Sequence, residues 1–103
     1  MFLSFEQKRN IFRSFPELTE KIDKYGRISY FYEGSKQRRK QMARELTHTG
    51  NGYVYGGYLP EYRHLTDERG WINIRDFSES ELRELISKVI RSFSNSTEET
   101  KKE

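Results

Sequence analysis

Six apolar residues near the C-terminus recur at helical spacing, and this pattern constrains the fold more than any other in the chain. They are Leu82, Leu85, Ile86, Val89, Ile90 and Phe93. Ser78 and Glu81 form a capping box before them, and Phe77 is placed to contact Leu82 as a hydrophobic staple. Because only 33% of the residues are hydrophobic, we expect the helix over residues 79–93 to supply the largest aliphatic share of the core.

Two short helices, or one kinked helix, are predicted before the first strand. Residues 4–13 begin with a Ser-x-x-Gln capping box and carry several phenylalanines. A second start signal, with proline in the first turn, opens residues 16–26, where Leu18 and Ile22 would face the core. Gly26 would end this second helix as its C-terminal cap.

The middle of the chain alternates between strand and helix signals. Residues 27–33 are rich in β-branched and aromatic types and predict a strand. Ser35 is a plausible N-cap for a helix over residues 36–46, whose apolar stripe is thin. That stripe consists of Met42, Ala43 and Leu46.

Residues 47–58 hold four of the seven glycines and three of the seven tyrosines. Residues 53–55 are typical of a short strand, and Gly56 and Gly57 indicate a bulge, a bend or a close backbone approach. An alternative is a hairpin turned at Asn51-Gly52 that pairs residues 45–49 with 53–57.

The sequence predicts a single α+β domain over residues 1–93 and a disordered polar tail over residues 94–103. A further short strand is expected at residues 71–75. The small sheet would have about three strands, packed by the C-terminal amphipathic helix and the N-terminal helices.

A basic run without acidic residues lies between Glu33 and Glu45. Its cations are Lys36, Arg38, Arg39, Lys40 and Arg44. On the predicted helix, three of them occupy the first turn, which is unfavourable for the helix dipole. A bound phosphate would relieve that penalty, whereas a solvated face would tolerate it.

Aromatic residues near this run complete a candidate nucleic-acid site. Tyr53, Tyr55, Tyr58 and Trp71 would stack on bases while the cations hold phosphates. The competing interpretation is that these rings complete a small aromatic core. The orientation of Val54 distinguishes these two interpretations. If Val54 points inward, Tyr53 and Tyr55 lie on the opposite face of the strand.

No catalytic, metal or cofactor signature is present. The glycines at 50–57 lack the Gly-Lys-Ser/Thr of a P-loop and the order of elements of a dinucleotide fingerprint. His48 and His64, with Asp67 and Glu68, match no metal-ligand spacing and are the only candidates for an enzymatic acid or base. We therefore expect a protein without enzymatic activity and without a cofactor.

The net charge of +3 and the absence of cysteine leave the partner open. Residues 1–6 lack the regions of a signal peptide and no apolar run reaches membrane-spanning length, so we expect a cytoplasmic protein with no membrane partner. RNA or DNA is the partner that the basic run and the tyrosines favour. The alternative is a protein-interaction module, a small regulator or inhibitor that docks on an acidic protein.

Overall fold

The computed structural model describes residues 3–94, which form an α+β fold with a five-stranded antiparallel sheet. Two α-helices and a 3-10 helix accompany the sheet within these residues. In chain order the elements are α1 (Phe5–Arg13), β1 (Leu18–Ile22), β2 (Ile28–Tyr32), β3 (Gln41–Leu46), β4 (Tyr53–Tyr55), the 3-10 helix (Pro60–Leu65), β5 (Trp71–Asn73) and α2 (Glu79–Ser94).

The sheet is a simple meander, in which the strands lie in their chain order and each pairs with the next. The α+β class is confirmed. The prediction of about three strands is wrong, because two segments expected to be helical are strands.

The first of these segments is β1. Leu18 and Ile22 are four residues apart and suggested a helix, but Leu18 pairs with Tyr32 and Ile22 with Ile28. Gly26 does adopt a positive φ, of 82°, and it does so in the β1–β2 turn rather than at a helix end. Only one helix therefore precedes the sheet in the described residues.

The second segment is β3, which was expected to be the basic helix over residues 36–46. Ile28 of β2 pairs with Leu46 of β3, and Tyr30 pairs with Ala43. The two pairs are two residues apart in β2 but three residues apart in β3, which defines a β-bulge. A second such irregularity follows between Tyr30 and Phe31. Each bulge adds a residue to β3 and shifts its alternation, so its buried residues acquire a spacing that imitates a helix.

The alternative hairpin was right in kind but not in register. β3 and β4 are antiparallel neighbours, and Arg44 pairs with Tyr53. The connection turns at residues 47–50, where the Gly50 amide donates to the Thr47 carbonyl at 2.8 Å and Gly50 has a φ of 91°.

Both predicted capping boxes are confirmed. In α1, Gln7 N–H donates to Ser4 Oγ at 3.1 Å, and Ser4 N–H donates to Gln7 Oε1 at 2.8 Å. The second box makes the same reciprocal pair between Ser78 and Glu81, at 2.8 and 3.2 Å. The helix predicted over residues 79–93 is observed as α2.

Both helices pack on one face of the sheet. Phe12 of α1 stacks on Tyr30 of β2 with ring centroids 4.4 Å apart. The apolar residues of α2 share one buried cluster with Val54 and Ile72. We call the opposite face of the sheet the outer face.

Ser94 belongs to α2, and the remainder of the predicted tail, residues 95–103, lies outside the described residues. Within the described residues, neither α-helix has the length and apolar character needed to cross a membrane.

Candidate nucleic-acid interface

The first four cations of the basic run lie in the β2–β3 loop, which closes over the C-terminal end of α2, and Arg44 lies in β3. The Lys36 amide donates to the Phe93 carbonyl at 2.7 Å, and Ser35 Oγ contacts the same carbonyl at 3.3 Å. Lys40 Nζ donates to the Ser35 carbonyl at 2.6 Å. The predicted helix start at Ser35 is therefore wrong.

This placement reverses the electrostatic argument made from the sequence. The loop that carries these cations contacts the C-terminal end of α2, which carries partial negative charge and near which positive charge is favourable. The loop amides also satisfy α2 carbonyls that have no partner within the helix. The helix-dipole penalty that the sequence predicted for these cations therefore does not arise.

Four side chains at the edge of the outer face form what we call the arginine–aromatic cluster. The guanidinium carbon of Arg39 lies 4.1 Å from the ring centroid of Tyr55 and 5.2 Å from that of Trp71. The guanidinium carbon of Arg44 lies 4.4 Å from the Trp71 centroid. Such distances are within the range of cation–π attraction, which holds both cations close to one indole.

Glycines make room for the Tyr55 ring. Tyr55 pairs with Trp71 across β4 and β5, and a Cβ atom at Gly70 would lie 2.8 Å from Tyr55 Cε1. A Cβ atom at Gly57 would collide with the Tyr55 hydroxyl. The close approach expected at the glycine pair is thus observed, to the Tyr55 ring at Gly57 and to the Ile72 side chain at Gly56.

Val54 points into the core and is 0% exposed, which places Tyr53 and Tyr55 on the outer face. Both tyrosines are half-buried. Tyr53 lies directly across from Arg44 on one side and from Asn73 on the other.

The register extends the outer face across all five strands. Its side chains are those of Thr19, Lys21, Ser29, Phe31, Gln41, Arg44, Tyr53, Tyr55, Trp71 and Asn73. None of these strand positions is acidic. Lys21 Nζ lies 4.6 Å from the Phe31 ring centroid, so a second cation–aromatic contact stands near the opposite edge.

Arg44 has one donor without a partner. Its Nε atom is buried and makes no hydrogen bond, and the nearest carboxylate oxygen, Glu45 Oε2, is 3.9 Å away. Glu45 itself has a φ of 58° at the first β3 bulge. For Arg39, no ion pair is found among residues 3–94.

Asp67 builds the turn that positions Trp71. One carboxylate oxygen accepts the Trp71 amide at 3.0 Å and the Arg69 amide at 2.8 Å. The hydrogen bond from the Trp71 amide, with smaller contributions that include the charge of Arg44, lowers the pKa of Asp67 below its usual value. A carboxylate used in this way is a structural element of the turn.

The structure brings together only some of the residues proposed from the sequence. Trp71 is 4% exposed, so the two arginines and Tyr55 leave its ring no free face. Tyr58 is 38% exposed and contacts Tyr55 edge to face, at 5.3 Å between centroids. Lys36 and Arg38 are exposed in the loop, and Lys40 is partly buried.

Two shallow cavities flank Tyr58, with volumes of about 250 and 280 Å³. Arg63 lines the first, and Lys88 and Arg91 line the second. Burial raises the pKa of the Tyr58 hydroxyl, so this group stays a neutral hydrogen-bond donor at physiological pH.

The two histidines lie on the surface in different segments of the chain. His48 and His64 are both exposed, one in the β3–β4 turn and one in the 3-10 helix. Among residues 3–94, no group of three or more histidine, aspartate or glutamate side chains is placed to hold a metal ion.

The structure contains a buried lysine that the sequence patterns did not predict. Lys8 of α1 is 0% exposed, and its ammonium donates to the Gly50 carbonyl at 2.7 Å and to the Arg75 carbonyl at 3.0 Å. Burial lowers its pKa, and the charge of Asp76 opposes that shift. Lys8 is four residues before the core residue Phe12, so helical spacing could have identified it.

Comparisons of the chain with protein-family models, with curated proteins and with solved structures gave no match.

Proposed function

We propose that this protein is a non-enzymatic module that binds single-stranded nucleic acid along the outer face of its sheet. The observation that carries the proposal is the pair of guanidinium groups of Arg39 and Arg44 within about 5 Å of the Trp71 ring. They lie at the edge of the outer face, which also carries the cation Lys21, while the acidic Glu45 lies beside Arg44 at the β3 bulge.

Phosphate is the ligand that this geometry favours. The two arginines repel each other, and the buried Nε of Arg44 lacks an acceptor. An unsatisfied buried donor destabilises by about 1–3 kcal/mol. A phosphate would supply the opposite charge, and the terminal amino groups of each guanidinium offer donors for its oxygens.

Bases would lie on the aromatic side chains that remain half-exposed. Tyr53 and Phe31 stand on the outer face in different strands, and Tyr58 is exposed near the cluster. Stacking on such rings contributes about 1–3 kcal/mol per base and tolerates any sequence. Trp71 is excluded from this role because it supports the arginines from below.

The exposed loop cations extend the same surface. Lys36 and Arg38 belong to the loop that also carries Arg39. They would add contacts to the phosphate backbone without base preference. A cytoplasmic location is part of the proposal, and the absence of cysteine supports it.

The test is fluorescence anisotropy with labelled oligo-uridine and oligo-thymidine strands over a range of salt concentrations. Each phosphate contact contributes about 0.7 to the slope of log affinity against log salt for single strands. We expect the double variant Arg39→Gln, Arg44→Gln to bind more weakly and to lower that slope by about 1.4.

The matched control removes two cations from the helix layer. Arg13 and Arg83 are exposed residues of α1 and α2, and their double change to glutamine leaves the outer face intact. Equal weakening in both double variants would show that only net charge matters and would contradict a site on the outer face. Absence of binding at low salt would overturn the proposed function itself.

A further inference from the structure

A groove lies between the 3-10 helix and the start of α2. Its volume is about 370 Å³, near the lower end of the range for ligand pockets. The residues that line it are Tyr62, Leu65, Asp76, Phe77, Glu81 and Glu84. We call it the acidic groove, and it shares no residue with the outer face.

The floor of the acidic groove is apolar. Tyr62 and Phe77 are partly buried and pack against the hydrophobic core. Leu65 is 44% exposed, although aliphatic residues are scarce in this chain. A partner that inserted an apolar side chain here would bury Leu65 and the free edges of the two rings.

The rim of the groove carries three carboxylates, from Asp76, Glu81 and Glu84. Lys88 partly neutralises one end, because its Nζ lies 3.3 Å from Glu84 Oε2 and 3.8 Å from Glu61 Oε2. No ion pair to Asp76 is formed among residues 3–94. The combination of an apolar floor and an acidic rim repels phosphate and complements a basic segment that carries an apolar anchor.

We propose that the acidic groove binds a basic peptide segment of a partner protein. An apolar side chain of the segment lies between Leu65 and Phe77, and its lysine or arginine side chains pair with Asp76 and Glu84. This site does not depend on the nucleic-acid proposal, since its charge is opposite and its residues are different.

The test uses three labelled peptides of equal length in anisotropy titrations. The first places leucines on one helical face and lysines on the other, the second replaces the leucines by serines, and the third replaces the lysines by glutamates. We expect the first to bind and the other two to bind at least about tenfold more weakly, since each lacks one half of the complementarity.

Two variants locate the site, each with a control on another surface. Leu65→Ser removes the apolar contact, and Ile22→Ser is its control because Ile22 is 55% exposed on β1. Asp76→Asn with Glu84→Gln removes two charges, and Glu17→Gln with Glu33→Gln removes two elsewhere. All four positions of the charge variants are exposed, so folding should persist and is checked by circular dichroism.

We expect about tenfold weaker binding of the first peptide in both groove variants and no more than about twofold change in the controls. Equal binding by the groove variants and the wild-type protein would overturn the proposal. So would equal loss in the controls, or equal binding of the glutamate peptide. Failure of nucleic-acid binding leaves each of these outcomes unchanged.

Discussion

Replacement of Lys8 by methionine tests how the buried ammonium holds three parts of the chain together. The side chain reaches from α1 to the β3–β4 turn at Gly50 and to the segment before α2 at Arg75. Methionine has a similar length but cannot donate a hydrogen bond. We expect the Lys8→Met variant to fold with lower stability.

The magnitude follows from the two bonds that are lost. A hydrogen bond from a charged donor contributes about 1.5–3 kcal/mol, so two contribute roughly 3–6 kcal/mol. The burial of the ammonium opposes this contribution, as its lowered pKa shows. We expect a net loss of about 2–4 kcal/mol, which corresponds to a decrease in Tm of roughly 10–30 °C for a domain of this size.

The assay is urea unfolding followed by the fluorescence of Trp71, the only tryptophan and a buried one. Lys36→Met is the matched control, because Lys36 is exposed and such changes usually stay within about 0.5 kcal/mol. If both variants unfolded at the same urea concentration as the wild-type protein, the reasoning about Lys8 would be refuted.

Three further changes test other contacts. Glu20 accepts hydrogen bonds from Arg9 and Tyr30, and the Arg9 bond chiefly lowers its pKa below the usual 4.5. Its stabilisation is therefore complete above pH 4.5 and is lost as the pH falls through the folded-state pKa. In the Glu20→Gln variant, the free energy of unfolding measured in urea should decrease less steeply as the pH is lowered. The same steepness as in the wild-type protein would contradict this. Gly70→Ala should destabilise by about 1–3 kcal/mol more than Gly26→Ala. Both glycines have positive φ, but only Gly70 faces the Tyr55 ring, so equal losses in thermal melts would be contrary to this expectation. Ser35→Ala should lower the free energy of unfolding by about 1 kcal/mol by removing a contact to the end of α2, and an unchanged Tm would argue against it.

The two helices that begin with a capping box could be predicted from the sequence. At α1 and α2, the capping boxes and the helical spacing gave the same answer, and the structure confirms both. A capping box is made by hydrogen bonds between residues three apart, so it can be read from the local sequence, whereas the single cap candidate Ser35 precedes a strand.

The missed strands depend on non-local partners. β3 carries Met42, Ala43 and Leu46 because two bulges shift its pairing with β2, and nothing in residues 41–46 alone shows a bulge. β1 is half-exposed, and its strand conformation is supported by the neighbouring β2.

The candidate site was predicted in composition but not in arrangement. Arg39, Arg44 and Tyr55 were identified, yet their common contact with Trp71 depends on the pairing of β4 with β5. The orientation of Val54 was left open by the sequence because alternation alone cannot distinguish the two faces of a sheet. Burial of Val54 by the helix layer decides it.

The most direct test of the proposed function is a titration of amide chemical shifts with an unlabelled oligo-uridine strand at low salt. We expect shifts at Phe31, Arg44 and Tyr53, and in the loop over residues 36–40, with little change along α1. The magnitude of these shifts should fall as salt is added. Shifts confined to the helices or to the acidic groove, or no shifts at all, would contradict binding at the outer face.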